Sequence, residues 1–402
     1  MPPEVFKALR RRQAIPAHHF SDAAVDALTT APVAMPPGFY NSPELPASEQ
    51  ECLLYPGWIC VGRVEQVPLP GDYFTAHILD EPLVVLRSDA DTIKVLSNVC
   101  RHRGSVMLEG AGNTRKLMCP YHHWSYRLDG SLLRAPLVDE TPGFEASSCR
   151  LPEFGIRLWY GWILVNLDQS ADPEGPDLQG LDEYVAAYHP EEMQLVDSYT
   201  EEWPVNWKIL AENFMEGYHL TPVHRHTLHP MTPTRLCEKI SATPYYTGYK
   251  SHYDETFPGR SPYHPDMTSE QRRLSMMVWI YPSFVAAISP NSTVFMSITP
   301  TGAESLQTTW GVLARPELFD LTAADGSSSE ARARLEFAAS FNAEDKARLL
   351  SVQRGLKSRF SSGGPLAPPD YEGTIWDFYH YYASHMLEDS YDVDNSDQMP
   401  HA

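Results

Sequence analysis

"CRHRGSVMLEGAGNTRKLMCPYHHW", residues 100–124, places Cys100-x-His102 and Cys119-x-x-His122 with sixteen residues between the two pairs, and ends on an aromatic. Short runs rich in β-branched and aromatic residues surround it: "WICVGRV", "DYFTAHIL", "PLVVLRS" and "IKVLSNV" before, "WSYRLDGSLL" and "IRLWYGWILVNL" after. Gly, Pro and Asp separate the runs, and Leu128-Asp129-Gly130 is a turn signal. Residues 51–166 therefore read as a small all-β domain whose two Cys/His pairs fall on loops between strands. Four such donors suit a structural zinc ion. They equally suit a [2Fe–2S] cluster in which two thiolates hold one iron and two neutral imidazoles hold the other, a substitution that raises the reduction potential.

Composition narrows the classes. The chain has 402 residues and a net charge of −21, which disfavours a nucleic-acid role because phosphate binding needs a basic face. No apolar run reaches the ~18–20 residues of a membrane span. The N-terminal stretch "MPPEVFKALRRRQAIPAHHF" has no apolar core of a secretory signal, so a cytoplasmic protein is expected. The six cysteines are sparse, and in that compartment the paired Cys100 and Cys119 suggest metal binding rather than a disulfide framework. Cys52, Cys60, Cys149 and Cys237 read as buried thiols.

Residues 1–50 are Pro-rich and read as an arm ending in a short helix, packed on the domain of residues 167–402. That domain mixes the two kinds of structure. "LDEYVAAYH" and "NWKILAENFMEGYHL" have helical patterning, "LSMMVWIYPSFVAAIS", "STVFMSITP" and "LQTTWGVLA" return to strands, and a long helical region near 327–359 is expected to break near Asn342. "TIWDFYHYYASHML" is a last helix, with an acidic tail from Glu388.

"AENFMEGYHLTPVHRHTLHP", residues 211–230, holds a second constellation: Glu212, Asn213, Glu216, His219, His224, His226 and His229. Histidines five apart lie on different faces of an unbroken helix. Pro222 between His219 and His224 is expected to bend the chain so that both reach one metal. Two histidines and a carboxylate with open positions describe the facial triad of mononuclear iron(II) oxygenases. His226 and His229 are the alternative ligands at this level of reading.

The two stretches together resemble the α-subunits of Rieske non-haem iron oxygenases. "CRHRG" and "CPYHHW" match the two Rieske loops, "ENFMEGYHLTPVH" resembles E-N-x-x-(D/E)-x-Y-H-x4-H, and "DKARLLSVQRGL" resembles the acidic residue ahead of Q-(K/R)-G-L. The resemblance spans roughly residues 40–385. It implies an α+β chain: an N-terminal all-β Rieske domain over 51–166, then a helix-grip catalytic domain, an antiparallel sheet wrapped against helices, over 167–402. It implies one [2Fe–2S] cluster on Cys100, His102, Cys119 and His122, with His123 out of register. It also implies one mononuclear Fe(II) on His219, His224 and Asp345, with Glu344 as the fallback ligand. Glu216 and Asn213 would be catalytic, Glu216 bridging the iron histidine to a Rieske histidine of the neighbouring subunit in a homotrimer or a dimer of trimers. The chain has no Gly-rich dinucleotide motif, so a separate NAD(P)H reductase with flavin and an iron–sulfur cluster is the expected partner, with O2 and a small molecule as substrates.

The compact "ENFMEGYH" with Glu216, and "MPPGFYNSPELPASEQE" near the N-terminus, resemble the choline, glycine betaine, carnitine and stachydrine oxygenases, which hydroxylate carbon beside or on a quaternary nitrogen. Aromatic faces recognise such cations. Trp279, Tyr281, Phe284, Phe295, Trp310, Tyr245, Tyr246, Tyr249 and Tyr253 are the candidate cage residues. The rival reading is an aromatic-carboxylate ring-hydroxylating dioxygenase, for which Arg235, Arg260 or Arg272 would hold the acid. A Rieske electron carrier is the rival outside enzymes.

Overall fold

The computed structural model describes residues 32–138, 141–319 and 329–386. The first 31 residues of the arm and the acidic tail lie outside them. Ten strands come first: β1 (Ile59–Arg63), β2 (Asp72–Ile78), β3 (Glu81–Arg87), β4 (Ile93–Ser97), β5 (Ala111–Asn113), β6 (Leu117–Met118), β7 (Ser125–Tyr126), β8 (Leu132–Arg134), β9 (Glu153–Trp159) and β10 (Trp162–Asn166). Seven of them form one antiparallel sheet, ordered β1-β10-β9-β4-β3-β2-β5, and β6-β7-β8 form a small sheet of their own. The loop of residues 98–107 leaves β4, and Cys119 to Trp124 join β6 to β7. The two Cys/His pairs therefore sit on the tips of neighbouring hairpins.

The second sheet holds β11 (Gln194–Trp203), β12 (Cys237–Lys239), β13 (Tyr246–His252), β14 (Leu274–Ile280), β15 (Phe284–Ile288), β16 (Ser292–Gly302) and β17 (Ser305–Ala314). It is antiparallel, in the order β11-β17-β16-β15-β14-β13-β12. Around it lie helices α1 (Gly38–Asn41), α2 (Leu45–Glu49), α3 (Gln179–Val185), α4 (Trp207–Phe214), α5 (Leu220–Val223), α6 (Ser329–Leu356) and α7 (Pro369–Met386). The chain is thus α+β, a Rieske-type β-domain and then an antiparallel sheet gripped by helices. One core of buried residues runs through both sheets, from Val85 and Ile163 to Trp207, Trp279 and Phe378, and takes in Met35 and Phe39 of the arm.

Two local expectations are corrected. Helix α6 is continuous through Asn342, because that amide is satisfied from outside: it donates to Glu201 on β11 at 3.2 Å, and Lys346 pairs with the same carboxylate at 2.8 Å. The helix break lies ahead of both site histidines, at Met215–His219, rather than at Pro222 between them. Pro222 is the third residue of α5, where a helix has no internal partner for an N–H, so it disturbs nothing there. Helix α4 stops because α7 captures its end. Thr374 Oγ1 donates to the Met215 carbonyl, and Gly217 N donates to the Tyr371 carbonyl at 2.9 Å. A Cβ on Gly217 would collide with Cys237 Sγ, so only glycine fits that approach.

Candidate metal centres

Cys100 and Cys119 are buried, whereas His102 and His122 are exposed at the surface with their ring centroids 4.7 Å apart. The loops are held by their own backbone: Cys100 N donates to Ser105 O at 2.9 Å, and Cys119 N donates to Trp124 O at 2.8 Å. Trp124 explains the aromatic that ends the motif. It is buried, and His102 stacks on it at 4.9 Å and 6°. Tyr126 from β7 places its hydroxyl 3.4 Å from Cys100 Sγ and accepts from Arg101 N at 3.0 Å. Burial opposes a Cys119 thiolate, but the backbone N–H groups of Tyr121 and His122 outweigh it and hold that thiol below its ordinary pKa. Cys100 is shifted the other way, chiefly by burial. Two buried sulfurs, two outward imidazoles and N–H groups aimed at sulfur are the donor set that a Rieske cluster requires. His123 is exposed, at a left-handed φ of 59°.

The second centre joins three elements. His219 comes after the break that ends α4, His224 ends α5, and Asp345 lies midway along α6. The two Nε2 atoms are 3.1 Å apart, and Asp345 Oδ1 stands 3.6 Å from His219 Nε2 and 3.1 Å from His224 Nε2. Each histidine is oriented from its other side by a carboxylate. His219 Nδ1 is 2.5 Å from Glu216 Oε1, and Glu216 Oε2 also accepts the backbone N–H groups of Tyr218 and His219. His224 Nδ1 is 2.7 Å from Glu344 Oε2, which Thr227 Oγ1 also meets at 2.6 Å.

A cation fits this arrangement. With Nδ1 of each ring donating to a carboxylate, both Nε2 atoms face inward as lone pairs. Asp345 Oδ1 adds a third acceptor, buried and without a hydrogen-bond donor. Three acceptors converging within 4.8 Å in a nearly dry site are mutually repulsive until a positive ion neutralises them. Glu344, the fallback ligand, instead orients His224. His226 and His229 are outside the cluster, and His229 Nδ1 contacts Thr221 Oγ1 at 3.1 Å.

The cluster forms one end of an inner cavity with about 90 Å³ open to the centres of water molecules. Asn213, Tyr249, Met277, Phe341 and Val294 contribute to its walls. Of the nine candidate cage aromatics only Tyr249 lines it. Phe284 and Phe295 pack on Trp162 of the Rieske domain at 5.3 and 5.7 Å, and Trp279 stacks on Phe378 at 4.4 Å, so these rings are interdomain and core packing. The aromatics that reach the cavity besides Tyr249 are Phe214, Phe337 and Phe341, from α4 and α6. Sequence reasoning misses them because helical aromatics read as ordinary core. Of the three candidate arginines, Arg260 lines the cavity, Arg235 pairs with Asp254 at the surface, and Arg272 stacks on Tyr263. Arg334, not singled out in the sequence, lines it as well.

Comparison with known proteins identifies both domains. Residues 57–145 match the Rieske [2Fe-2S] domain, and residues 188–388, half of the chain, match the ring hydroxylating alpha subunit (catalytic domain). The carnitine monooxygenase oxygenase subunit of Acinetobacter baumannii is 31% identical over 192 residues, 47% of this chain and 52% of the relative. The chain thus spans about half the length of that relative. The chloroplastic choline monooxygenase of Beta vulgaris is 26% identical over 354 residues, 87% of this chain and 75% of the relative. A crystal structure of the quaternary ammonium Rieske monooxygenase CntA has the same fold, with a TM-score of 0.76 at 23% identity, covering 90% of this chain and 98% of that one. Two thiolate/imidazole hairpins, a three-acceptor pocket and both domain matches in this order assign the chain to the ring-hydroxylating α-subunit family, whose Rieske domain carries a [2Fe–2S] cluster and whose catalytic domain carries mononuclear iron.

Proposed function

We propose that this chain is the terminal oxygenase of a Rieske non-haem iron system that hydroxylates a small quaternary ammonium or betaine compound. The observation that carries the reading is the His219/His224/Asp345 cluster at the end of a small, largely apolar cavity. A space of about 90 Å³ amounts to roughly six to nine water positions at ~10–15 Å³ each, which suits a compact substrate. The relatives named for carnitine and choline support the substrate class.

The roles derive from the residues. Cys100, His102, Cys119 and His122 hold the cluster, and His219, His224 and Asp345 hold the iron. When bound, the cluster supplies electrons singly and the iron supplies the site of oxygen activation. The cavity wall excludes bulk water and points the substrate's C–H at that site. One oxygen atom enters the C–H bond and the other leaves as water, with two electrons and two protons. An N-hydroxymethyl product then collapses to formaldehyde and the demethylated amine.

His219 also lines a recess on the outer surface, shared with Glu216, Tyr218 and Pro222, with about 690 Å³ open to water centres. It is therefore a wall between that recess and the substrate cavity. The recess is the docking place for the exposed His102 and His122 of a neighbouring subunit in a trimer, with Glu216 between the two centres. The electrons come from a separate NAD(P)H reductase.

Two measurements test the reading. Purified protein should carry three irons per chain and a Rieske visible spectrum. With a generic reductase it should release formaldehyde from carnitine or a related betaine. A colourless zinc protein would end the proposal, and so would ring hydroxylation of aromatic acids with no betaine turnover.

A further inference from the structure

Arg260 and Arg334 are not needed by either metal centre. Arg260 leads into the segment before β14, and Arg334 lies on α6. Both line the inner cavity, and both also line an outer recess with about 500 Å³ open to water centres. Phe337 and Met231 share that position. The two guanidinium groups therefore stand between the recess and the inner cavity that ends at the metal cluster. Arg260 Nη1 donates to Ser292 Oγ at 3.3 Å, and its guanidinium lies 5.9 Å from the centre of the Phe337 ring. The Nε atoms of both arginines are buried without a hydrogen-bond acceptor. Among the described residues neither arginine has a carboxylate within ion-pair distance. Burial, and then the neighbouring Arg260, lower the pKa of Arg334. Two partly buried like charges with orphaned N–H donors have the chemistry that suits an anion.

Helix α6 sets the distance. Arg334, Phe337, Phe341 and Asp345 recur at intervals of three, four and four, which puts them on one face. Arg334 and Asp345 are eleven residues apart, or ~16 Å along the axis. One helix thus offers a cationic fork at one end, two aromatic rings along the wall and the Asp345 carboxylate at the other end. A zwitterion can lie along that stripe, its carboxylate on the fork and its quaternary nitrogen against the rings. A cation without a carboxylate meets two positive charges at that end and has nothing to bind there.

We propose that Arg260 and Arg334 form a carboxylate clamp that restricts this chain to carboxylate-bearing substrates, betaines of the carnitine or glycine betaine kind rather than choline. This deepens the preceding functional reading and rests on it for the quaternary nitrogen.

The test is ligand binding to the iron-loaded protein, measured by calorimetry, with two matched pairs: glycine betaine against choline, and benzoate against benzyl alcohol. Glycine betaine should bind at least tenfold more tightly than choline. Arg260→Gln and Arg334→Gln should each raise its Kd by roughly ten- to a hundredfold, the worth of a charge-assisted hydrogen bond, and leave choline unchanged or improved. The Rieske spectrum and iron content serve as the check on folding. If a Gln variant loses iron, Arg260→Lys and Arg334→Lys decide, since they keep the charge but lose the fork; glycine betaine should then weaken measurably while choline does not. Equal affinity for choline and glycine betaine overturns the clamp. So does a glycine betaine Kd that neither arginine affects, or a failure of both carboxylates to bind. If benzoate alone binds, and does so through the arginines, the clamp stands and the quaternary-ammonium reading falls.

Discussion

Glu216 and Glu344 act alike from opposite sides of the cluster: each receives the Nδ1 proton of one histidine and so turns its Nε2 inward. Asp345 differs, because its Oδ1 has no donor. Asp345→Ala should therefore abolish mononuclear iron and turnover while the Rieske spectrum persists. Glu344→Gln should keep the iron with an affinity lower by about ten- to a hundredfold, the usual cost of losing an outer-shell partner; metal titration of the apoprotein measures both. Glu216→Gln should retain both centres, yet slow re-oxidation of the pre-reduced protein by orders of magnitude in a single turnover, because the carboxylate charge is gone. Glu212 tests a different part of the motif. Burial pushes its carboxyl from 4.5 up to about 8, against hydrogen bonds at 2.7 and 3.0 Å from the Tyr40 hydroxyl. The folded chain then holds a proton that the unfolded chain releases, so this residue's stabilising effect is full below about pH 4.5 and is lost as pH rises toward 8. Glu212→Gln should flatten that decline in Tm and give a more stable protein at pH 8.

At the scale of elements, the problem is to hold α6 against α4 so that Asp345 meets the two histidines. Gln353 does this. It is 3% exposed, accepts from Asn206 N at 2.7 Å and donates to Asn41 Oδ1 at 2.9 Å. Asn206 is the N-cap of α4, accepting from Lys208 N at 3.0 Å, and its amide also donates to the Tyr40 and Ala303 carbonyls. One glutamine thus joins α6, the start of α4 and the arm. Gln353→Ala leaves a buried N–H unpaired and should cost about 1–3 kcal/mol, read by chemical denaturation. It should also weaken iron binding while leaving the cluster spectrum unchanged, since Gln353 bonds to Asn206 and Asn41 rather than to the cluster hairpins.

Across the whole molecule, the two centres differ in exposure. The cluster imidazoles face solvent, while His224 and Asp345 are buried behind His219 and Glu216. If electrons pass between subunits, chains that are dead for different reasons should complement one another. A Cys119→Ala chain without the cluster and a His224→Ala chain without the iron should each be inactive. Refolded together at equal amounts into mixed rings, they should recover about one quarter of wild-type turnover, because half of the clusters and half of the irons survive and pair at random. Zero recovery in verified mixed assemblies would place electron transfer within one chain.

The candidate donor atoms were legible because metal chemistry accepts few of them and local spacing keeps them in register: Cys100-x-His102, Cys119-x-x-His122 and His219-x4-His224 can be read without knowing the fold. The β-rich first half and the mixed second half were legible too, from period-two runs and turn residues. Only the tertiary structure put Glu344 on His224 Nδ1 and Asp345 Oδ1 beside both Nε2 atoms, since adjacent carboxylates on a helix differ by about 100° in direction and the sequence does not say which side is in. It likewise decided that α4 ends where α7 captures its backbone, not at the proline. The cavity lining was the least legible part. An aromatic on a strand or helix has the same apolar signature whether it fills the core, as Trp279 does, or walls a cavity, as Phe341 does. That choice depends on whether the element packed opposite leaves a gap, and on which residues, such as Arg260 and Arg334, the fold brings to its wall from places far apart in the chain.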